Sequence, residues 1–450
     1  MTISTQRRPL PPPVRLAGGL IGFMFLGAFL LRMPFSGRDG SLTWNEALFT
    51  ATSALTVTGL TIITPTSDLS IIGMLILLTL IQIGGVGFMV IAVVILRLLG
   101  RRISLADRLT LSNSLGLLSP AAIVTLTRNV LATVLLIEAV GALLLYFHWR
   151  GDPRLSEGQV ILYAIFHAVS AFCNAGFELF SGTPGYPDGI PRDTLSLTIM
   201  GWLIFLGGLG IPVIGDLLLY WRQRRFSLHT RITFTVVAFL VFVGMVGVFI
   251  AEGRAGGTLA EEPVYRRLVM SLFQSVSARA GGLAGIPDFG EISIATRLLL
   301  IMLMFIGCAP ASMGGGITTG TFAVLTISVW SYARGLTEAQ FGGRTLAVGT
   351  VRKAAAVLTV SLLVVFTSIW LLVLTHDVAL DVAAFEVVSA FATCGLSLGM
   401  TGDLNLFGEL VIVFMMFWGR LGALTLIVAI TRQQNNLQMV RFPEEQILIG

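Results

Sequence analysis

The sequence predicts an all-α polytopic membrane protein made of four repeated units, each a membrane span, a re-entrant segment and a second span. Three observations carry this prediction: an apolar composition, eight long apolar runs, and a short phrase that occurs four times. Of the 450 residues, 55% are apolar and 12% are charged, whereas about 25% of the residues of a soluble protein are charged. The mean hydropathy is +0.88. These values exclude a water-soluble globular protein.

Eight runs come close to the roughly 20 apolar residues that a helix needs to cross a bilayer. Glycine clusters, with Pro212 and Pro310, interrupt the fourth and sixth runs. Irregular backbone at bilayer depth is tolerated only against protein or a water-filled cavity, so the interrupted spans indicate a pathway. The predicted spans are 14–32, 70–96, 130–148, 196–221, 232–251, 296–330, 355–375 and 409–431.

The basic residues predict the orientation, because cytoplasmic flanks of membrane spans carry an excess of Lys and Arg. Placing the N-terminus inside assigns 18 of the 29 Lys and Arg residues to the cytoplasm, while most acidic residues fall outside. Both termini are therefore expected in the cytoplasm, and we interpret the basic start of the chain as a tail and not a cleaved signal. The basic residues lie at span ends without interleaved aromatic residues, which favours membrane topology over nucleic-acid binding.

A phrase of Phe, two variable residues, Thr or Val, and Ser, followed five or six residues later by Gly, occurs four times. Its phenylalanines are spaced 117, 107 and 112 residues apart, and such a period indicates a repeated structural unit. The four copies are FTATSALTVTG (49–59), FHAVSAFCNAG (166–176), FQSVSARAGG (273–282) and FEVVSAFATCG (385–395).

Each unit carries a second glycine cluster in its second span, which we expect to let helices approach closely or unwind. The glycines of the first span, Gly18, Gly19, Gly22 and Gly27, are expected to be ordinary packing sites. The four clusters begin at Gly84, Gly207, Gly314 and Gly419.

The phrase is long enough for a short half-helix that dips into the membrane, after which the glycine-containing residues return in extended form. Extended backbone exposes carbonyl groups, and neighbouring carbonyls point the same way only with φ values that a Cβ penalises. Four such segments around one axis would replace the hydration shell of a cation, which the C-terminal dipoles of the half-helices also favour. The predicted chemistry is cation coordination at one central pore.

No catalytic or metal site emerges from the remaining polar residues. The histidines His148, His167, His229 and His376 have no paired-ligand spacing, and His167 is interpreted as a satisfied core histidine. The odd number of cysteines, three, gives no disulfide framework. Glu138 either pairs with a re-entrant helix or serves packing or an interface, and we favour the latter role.

Several segments resemble the Trk/Ktr/HKT superfamily of potassium transporters, whose chains carry four span, pore-loop, span units. The resemblance covers nearly the whole chain, and its length and ending are most similar to the membrane subunit of the Ktr system. The most specific segments are SALTVTGL (53–60), IQIGGVGF (81–88), AFCNAGF (171–177), FQSVSARAGG (273–282), APASMGGGITTGTF (309–322) and PEEQILIG (443–450).

The resemblance implies a potassium uptake subunit that is not an enzyme and needs no cofactor. It implies one glycine per repeat in a K+ selectivity filter and a gating loop in the sixth span. The implied filter residues are Thr56, Val57, Thr58, Gly59, Cys173, Asn174, Ala175, Gly176, Ala280, Gly281, Gly282, Thr393, Cys394 and Gly395. The implied gating loop comprises Pro310, Ala311, Ser312, Met313, Gly314, Gly315, Gly316, Thr318, Thr319 and Gly320.

The resemblance also implies a homodimer in the bacterial inner membrane and a cytosolic ring of nucleotide-binding (RCK-type) regulatory subunits. The implied transporter is channel-like in build, with symport as a further expectation, and Na+ is its implied activator. The whole chain is expected to form one membrane unit surrounded by lipid, with no nucleic-acid partner. Its expected parts are repeats 14–102, 128–225, 231–334 and 352–432, followed by a cytoplasmic tail, 433–450.

The sequence departs from the family pattern at three places. The third loop reads Ala280-Gly281-Gly282, so both glycines compete for the filter position. Thr318 stands where relatives commonly have a lysine, and Cys394 precedes the fourth filter glycine. In the last span, Arg420 is expected to face the cavity, either as an electrostatic barrier near the gating loop or paired with a helix-end carbonyl.

Two alternatives stay open at this point. The first is a Na+-permeable or weakly selective cation channel of the same superfamily, although glycine at all four filter positions resembles the potassium-selective members. The second is a membrane scaffold or sensor that does not conduct. An intramembrane enzyme is disfavoured because no Ser/His pair, Asp pair or metal cluster falls at bilayer depth.

Overall fold

The computed structural model describes residues 12–87, 123–187 and 189–422. Its helices are α1 (Pro12–Arg32), α2 (Trp44–Thr56), α3 (Pro65–Asp68), α4 (Ile71–Val86), α5 (Ile123–Trp149), α6 (Glu157–Cys173), α7 (Thr194–Gly208), α8 (Ile211–Gln223), α9 (Leu228–Glu252), α10 (Val264–Ser277), α11 (Ile294–Phe305), α12 (Thr319–Ala333), α13 (Val348–Thr375), α14 (Leu380–Ala392) and α15 (Leu406–Leu421). Short 3-10 turns cover Phe289–Glu291 and Met400–Asp403. The described part of the chain is therefore predominantly helical, as the sequence predicts.

One small element departs from the all-α prediction. Two strands, β1 (Gln340–Phe341) and β2 (Arg344–Thr345), pair antiparallel between α12 and α13. They are joined by Gly342 and Gly343, both with positive φ, as a tight hairpin turn requires. All four strand residues are exposed, so the hairpin lies outside the packed helices.

Four helices, α2, α6, α10 and α14, are short and buried towards their C-terminal ends; we call them the buried helices. They contain 13, 17, 14 and 13 residues. At about 1.5 Å per residue they are roughly 20 to 26 Å long, which is shorter than the ~30 Å hydrocarbon layer. The repeated phrase forms the C-terminal part of each one.

Side-chain caps set where two of the four buried helices begin. Thr43 and Glu46 form a capping box at the start of α2, and Ser156 and Gln159 form another at the start of α6. Each box satisfies backbone N–H groups that the first turn of a helix leaves without partners. In α10 the helix starts directly after Pro263, whose fixed φ suits a helix entry.

Contacts between helices close the four units into a ring. In the first, second and fourth units the buried helix packs against both spans of its own unit, as α6 does against α5 and α7, and in the third unit α10 packs against α9. The second span also reaches the next unit: α4 contacts α6, α7 contacts α10, and α11 contacts α14. The ring closes because α15, the last described helix, contacts α2. The C-terminal ends of the buried helices therefore meet near one axis.

The breaks that the sequence predicts in the fourth and sixth spans are present in the structure, while the bounds of other spans differ from the expected ones. The fourth span is two helices, α7 and α8, bent by 103° at Gly210. The sixth is also two helices, α11 and α12, with residues 306–318 non-helical between them. The seventh begins at Val348, earlier than expected. The parts of the second and eighth spans beyond 87 and 422 lie outside the described residues, as do the tail 433–450 and the ending motif.

In the described part, three helices are long and apolar enough to cross a membrane without a break, and α7 with α8 makes a fourth if the bent pair is counted as one span. The three are Leu131–Trp149, Leu228–Glu252 and Val348–Thr375. Shorter apolar helices occupy the first, second and sixth predicted spans: Ala17–Arg32, Ile71–Val86 and Ile294–Phe305.

Two glycines of the first span lack the packing role expected of them. A Cβ added to Gly18 or Gly22 would meet nothing within 4 Å in the single chain. Gly27 does serve close packing, since a Cβ there would lie 3.0 Å from the Leu80 side chain and 3.2 Å from Ala51. Only Gly27 of these three is at a helix crossing.

Polar contacts outside the membrane fix the loops that enter the buried helices. In the loop before α6, Arg154 pairs with Asp152 at 2.7 Å and stacks over the ring of Tyr186 at 4.1 Å. The neighbouring Arg154 guanidinium holds the pKa of the Asp152 carboxyl well below its ordinary range. This carboxylate therefore stays charged at physiological pH and accepts a hydrogen bond from the Tyr186 hydroxyl.

Candidate functional site

Each buried helix is followed by one glycine with positive φ, and the four glycines converge at the axis of the ring. Their φ angles are +92° for Gly59, +70° for Gly176, +67° for Gly282 and +95° for Gly395. We call them the convergent glycines. Side chains rarely adopt this backbone conformation, so each position favours glycine on conformational grounds alone.

The four backbones approach each other closely at this point. A Cβ on Gly176 would lie 3.1 Å from the Cα of Gly282 and 3.2 and 3.3 Å from the carbonyl oxygens of Thr58 and Cys394. A Cβ on Gly59 would lie 2.8 Å from the Cα of Gly176 and would contact the carbonyl oxygen of Ala175. Three carbonyls that precede convergent glycines therefore lie at the meeting point, each from a different unit.

The helices themselves add negative potential there. The four buried helices end directly before the segments that carry the convergent glycines, and the C-terminal end of a helix carries a partial negative charge. Carbonyl oxygens and helix C-termini both attract cations, so the chemistry that this arrangement offers is cation coordination without bond making.

The serine of the phrase holds the backbone that follows each buried helix. In the first and fourth units, the hydroxyl oxygens of Ser53 and Ser389 accept hydrogen bonds from the N–H groups of Gly59 (3.0 Å) and Gly395 (3.1 Å). The geometry is the same in both units although their residues are more than 300 apart in the chain. These two bonds hold the glycines that the sequence predicts for the filter in the first and fourth units.

The second and third units use the same serine in a slightly different way. The hydroxyls of Ser170 and Ser277 donate to the carbonyls of Phe177 and Leu283, both at 2.6 Å, one residue beyond the convergent glycine. Ser277 also accepts from the Leu283 N–H at 2.9 Å. All four serines are fully buried and hydrogen-bonded, so none leaves an unsatisfied polar group at bilayer depth.

In the third unit the two candidate glycines differ in conformation. Gly282 has positive φ and lies beside Gly176, whereas Gly281 is absent from the positive-φ residues and a Cβ there would meet the Ile204 side chain at 2.8 Å. This unit has five residues from serine to convergent glycine, and the others have six. Gly282 therefore corresponds to the glycines of the other units.

The missing residue changes how the third buried helix ends. Val57, Asn174 and Thr393 are left-handed caps with φ of 59°, 59° and 48°, one in each of the other units. The third helix has no such cap, because Ala278 follows it in a right-handed conformation. The ring of backbones is therefore asymmetric at Ala280 and Gly281.

Three polar residues of the predicted filter also make local side-chain contacts. The Thr56 hydroxyl donates to the Thr52 carbonyl at 2.7 Å and lies 2.8 Å from the Thr58 hydroxyl. The Cys394 thiol contacts the Ala278 carbonyl at 3.3 Å. These three side chains are therefore engaged with neighbouring protein groups.

A second irregular segment, residues 306–318 between α11 and α12, lies against the break of the fourth span; we call it the broken segment. The Ala309 N–H donates to the Gly208 carbonyl at 3.1 Å, and the Ile211 N–H donates to the Ala311 carbonyl at 3.0 Å. Ala311 is left-handed with φ of 57°. The broken spans of the second and third units thus satisfy each other's backbone, as irregular structure in a membrane requires.

The broken segment contains most of the residues expected in the gating loop. Pro310 to Gly316 are non-helical, and a Cβ on Gly314 would meet Ala280 at 2.7 Å. Thr318 is the N-cap of α12 and accepts from the Thr321 N–H. Thr319 and Gly320 form the first turn of that helix, so the irregular segment ends two residues earlier than expected.

The same segment is tied to the meeting point by one bond that sequence reasoning missed. The Gly315 N–H donates to the hydroxyl of Thr393 at 2.7 Å, and Thr393 is the cap that precedes Cys394 and Gly395. The two residues are 78 apart in the sequence, and no local pattern signals their contact.

Arg420 reaches the same region from the end of α15. Its guanidinium donates to the carbonyls of Met313, in the broken segment, and Gly84, near the end of α4. It thus contacts both partners considered for it, the expected gating loop and a helix-end carbonyl. The arginine therefore links the broken segment of the third unit to the second span of the first unit.

Arg279 is a second buried cation that sequence reasoning overlooked. It is 5% exposed and donates to the Gly307 carbonyl at 3.0 Å. Its position inside the apolar phrase of the third unit was the available signal, since charged residues in membrane segments are rare and face the protein interior.

Two polar residues of the spans have contacts that clarify their roles. His167 is fully buried: its Nδ1 lies 2.8 Å from the Tyr163 carbonyl and its Nε2 accepts from the Leu179 N–H at 3.3 Å. This is the satisfied core histidine that was predicted. Glu138, for which we favoured packing, instead pairs with a buried helix through the Cys173 thiol (3.5 Å) and with Gln82 (3.1 Å).

Within residues 12–87, 123–187 and 189–422, no group of three or more His, Cys, Asp or Glu side chains is placed to hold a metal ion. The three cysteines are free and buried.

The sequence is similar to those of known cation transport proteins. The family model described as TrkH, cation transport protein, matches residues 22–439. The Ktr system potassium uptake protein B of Bacillus subtilis is 35% identical over 98% of this chain and 97% of its own length. The potassium/sodium uptake protein NtpJ of Enterococcus hirae is 34% identical over 100% of both chains.

A solved structure shows the same fold at low sequence identity. The crystal structure of the potassium transporter TrkH from Vibrio parahaemolyticus has a TM-score of 0.72 and 19% identity, covering 96% of this chain and 87% of that one. The family match spans nearly all of the sequence, and the matched relatives are covered almost end to end. The chain therefore belongs to the TrkH family of membrane cation transport proteins.

Proposed function

We propose that this chain is the ion-translocating subunit of a potassium uptake system, in which K+ passes through a filter formed by the four convergent glycines and the carbonyls around them. The observation that carries the proposal is the meeting of Gly59, Gly176, Gly282 and Gly395, with carbonyls of three units beside them. The Bacillus subtilis relative is named a potassium uptake protein and the Enterococcus hirae relative a potassium/sodium uptake protein, which supports a monovalent cation as cargo.

Backbone carbonyls at such a point would take over the coordination that water gives a K+ ion. The serine bonds support this role, because they hold each segment in place without placing a charged side chain in the path. Potassium selectivity over sodium is proposed on the same ground, with glycine at all four positions. A Na+-permeable channel and a non-conducting scaffold are the competing functions.

The broken segment is proposed to be the gate. It lies beneath the fourth filter segment, to which Gly315 is bonded, and Arg420 holds it to the end of α4. A cation leaving the filter inward would meet both the segment and the arginine charge. Movement of residues 306–318 would open the path, and loss of the Arg420 contacts would favour the open form.

Assembly and regulation are proposed from the family. We propose a homodimer in the bacterial inner membrane with both termini cytoplasmic, stimulated by Na+ and controlled by a cytosolic ring of RCK-type nucleotide-binding subunits. The exposed apolar residues along the long helices, such as Phe239, Phe366 and Trp370, support contact with lipid or a second copy.

Uptake of Rb+, a K+ substitute, into liposomes containing the purified chain tests the central proposal. We expect Rb+ influx that K+ competes for, and that excess Na+ outside does not block. Empty liposomes and protein heated before reconstitution are the controls. A correctly folded, inert preparation would favour the scaffold, and equal Rb+ and Na+ influx would favour the unselective channel.

A matched glycine pair in the third unit tests the filter. Gly282→Ala would put a methyl group against the Cys394 carbonyl at a positive φ, so we expect the Rb+ to Na+ influx ratio to fall about tenfold or more, a change of about 1.4 kcal/mol. Gly281→Ala keeps an ordinary φ, and the nearest neighbours of its Cβ would be the Ile204 side chain at 2.8 Å and the Ser277 Cα at 3.0 Å, not a carbonyl at the meeting point. We therefore expect a ratio within about threefold of wild type, a change below about 0.7 kcal/mol. The reverse order would assign the filter to Gly281.

Removing the contacts of the broken segment tests the gate. We expect Arg420→Gln, or deletion of Ser312 to Gly314, to raise Rb+ influx severalfold, because both loosen the barrier beneath the filter. Arg334→Gln, which removes an exposed charge stacked on Trp330, is the charge control and leaves influx unchanged. An unchanged rate in both Arg420→Gln and the deletion would mean that this segment only packs.

A further inference from the structure

Each buried helix carries a buried polar side chain at the same position of the repeated phrase. It is the residue directly after the phenylalanine of the repeated phrase. The side chains differ in chemistry, yet all four are fully buried, with 0% exposure. They are Thr50, His167, Gln274 and Glu386.

Three of these side chains bond the chain just after the glycine of their own unit. We call the six residues that follow each convergent glycine the outer leg: 60–65, 177–182, 283–288 and 396–401. Gln274 Oε1 accepts from the Gly285 N–H at 2.9 Å, three residues beyond its glycine. Glu386 accepts from the hydroxyls of Ser397, at 2.8 Å, and Thr401.

His167 makes the same contact in the second unit. Its Nε2 accepts from the Leu179 N–H, again three residues beyond the convergent glycine, and its Nδ1 faces the Tyr163 carbonyl. Because Nε2 accepts, the ring proton lies on Nδ1 and the neutral tautomer satisfies both contacts. The Leu179 carbonyl is held in turn by the Thr66 hydroxyl of the first unit at 2.7 Å.

These contacts do more than satisfy buried groups. Most residues of each outer leg are irregular backbone at the end of a re-entrant segment, so their N–H and hydroxyl groups need protein partners. The phrase serine bonds the convergent glycine or the residue directly after it, and the residue after the phrase phenylalanine bonds the chain two to six residues beyond the glycine. The backbone that follows the glycine is thereby held at two successive places, and the carbonyl direction at the glycine depends on both contacts.

The first unit provides a natural exception. The Thr50 hydroxyl is buried but has no hydrogen-bond partner among the described residues. Its outer leg is held differently, since the Thr61 hydroxyl accepts from the Ile63 N–H at 3.1 Å. The position is therefore an anchor in the second, third and fourth units and a passive core site in the first.

We propose that His167, Gln274 and Glu386 are positioning residues for ion selection, each anchoring the outer leg of its unit behind the convergent glycine. The proposal rests on the proposed function for its effect on ions, but the anchoring itself is a property of the backbone. A lost anchor lets the outer leg move and the carbonyls turn, so discrimination between cations of different size declines before conduction does.

The test uses the full chain in liposomes with two measurements, the Rb+ to Na+ influx ratio and hydrogen–deuterium exchange of residues 396–404. Glu386→Ala removes the acceptor of the Ser397 and Thr401 hydroxyls, and we expect it to increase exchange in this segment. Because hydrogen bonds to a carboxyl group are lost, we expect the influx ratio to fall at least about fivefold. Glu386→Gln keeps one accepting oxygen and restores most of both values. Gln274→Leu repeats the test in the third unit.

Two controls separate anchoring from general loss of stability. Thr50→Val removes a hydroxyl without a partner at the matching position, so both measurements stay at wild-type values. Glu252→Ala removes another fully buried carboxyl held by hydroxyls, those of Ser293, Thr296 and Thr258, none of which belongs to a buried helix. It lowers thermal stability but leaves the ratio unchanged.

The outcomes separate the two proposals. Wild-type protein that transports nothing contradicts the proposed function, while exchange in residues 396–404 still decides the anchoring. Glu386→Ala protein with wild-type exchange overturns the anchoring. A wild-type ratio despite increased exchange overturns the role in ion selection, and an equal fall in the ratio for Glu252→Ala does the same.

Discussion

The structure depends on satisfying irregular backbone inside a membrane. A helix satisfies its own N–H and C=O groups, but a segment that turns back at bilayer depth must find partners elsewhere in the protein. Each of the four units does so with one buried serine, which bonds the glycine or the residue after it. With the N–H groups occupied by protein, the carbonyls of Thr58, Ala175 and Cys394 can lie together at the axis.

The same constraint explains the glycines. The convergent glycines need positive φ and leave no room for a side chain, whereas Gly207 and Gly419 let a span approach the end of a buried helix. A Cβ at either position would strike the carbonyl of Phe172 or Phe391. Glycine content in this chain is thus a consequence of backbone packed on backbone, and the requirement recurs because the unit recurs.

Sequence reasoning predicted the parts that depend on local pattern. The phrase located the buried helices and their serines, and the interruptions near Pro212 and Pro310 located the broken spans, because periodicity and helix breakers are readable along the chain. It could not choose between Gly281 and Gly282, since the choice follows from a loop one residue shorter and from the position of Gly176 in space. The bonds of Gly315 to Thr393 and of Arg420 to Gly84 join distant residues and leave no local signal. The angle of the break in the fourth span, 103°, could not be predicted, because hydropathy reports composition and not direction.

The central claim is that the four convergent glycines surround the site where a cation is coordinated. Anomalous scattering from crystals of the full chain grown with Rb+ tests it most directly, because Rb+ substitutes for K+ and is located independently of the protein atoms. We expect a peak on the axis between Gly59, Gly176, Gly282 and Gly395, beside the carbonyls of Thr58 and Cys394, that disappears when Na+ replaces Rb+. Well-ordered backbone at the glycines without a peak there, or a peak only at another place in the chain, would contradict the account.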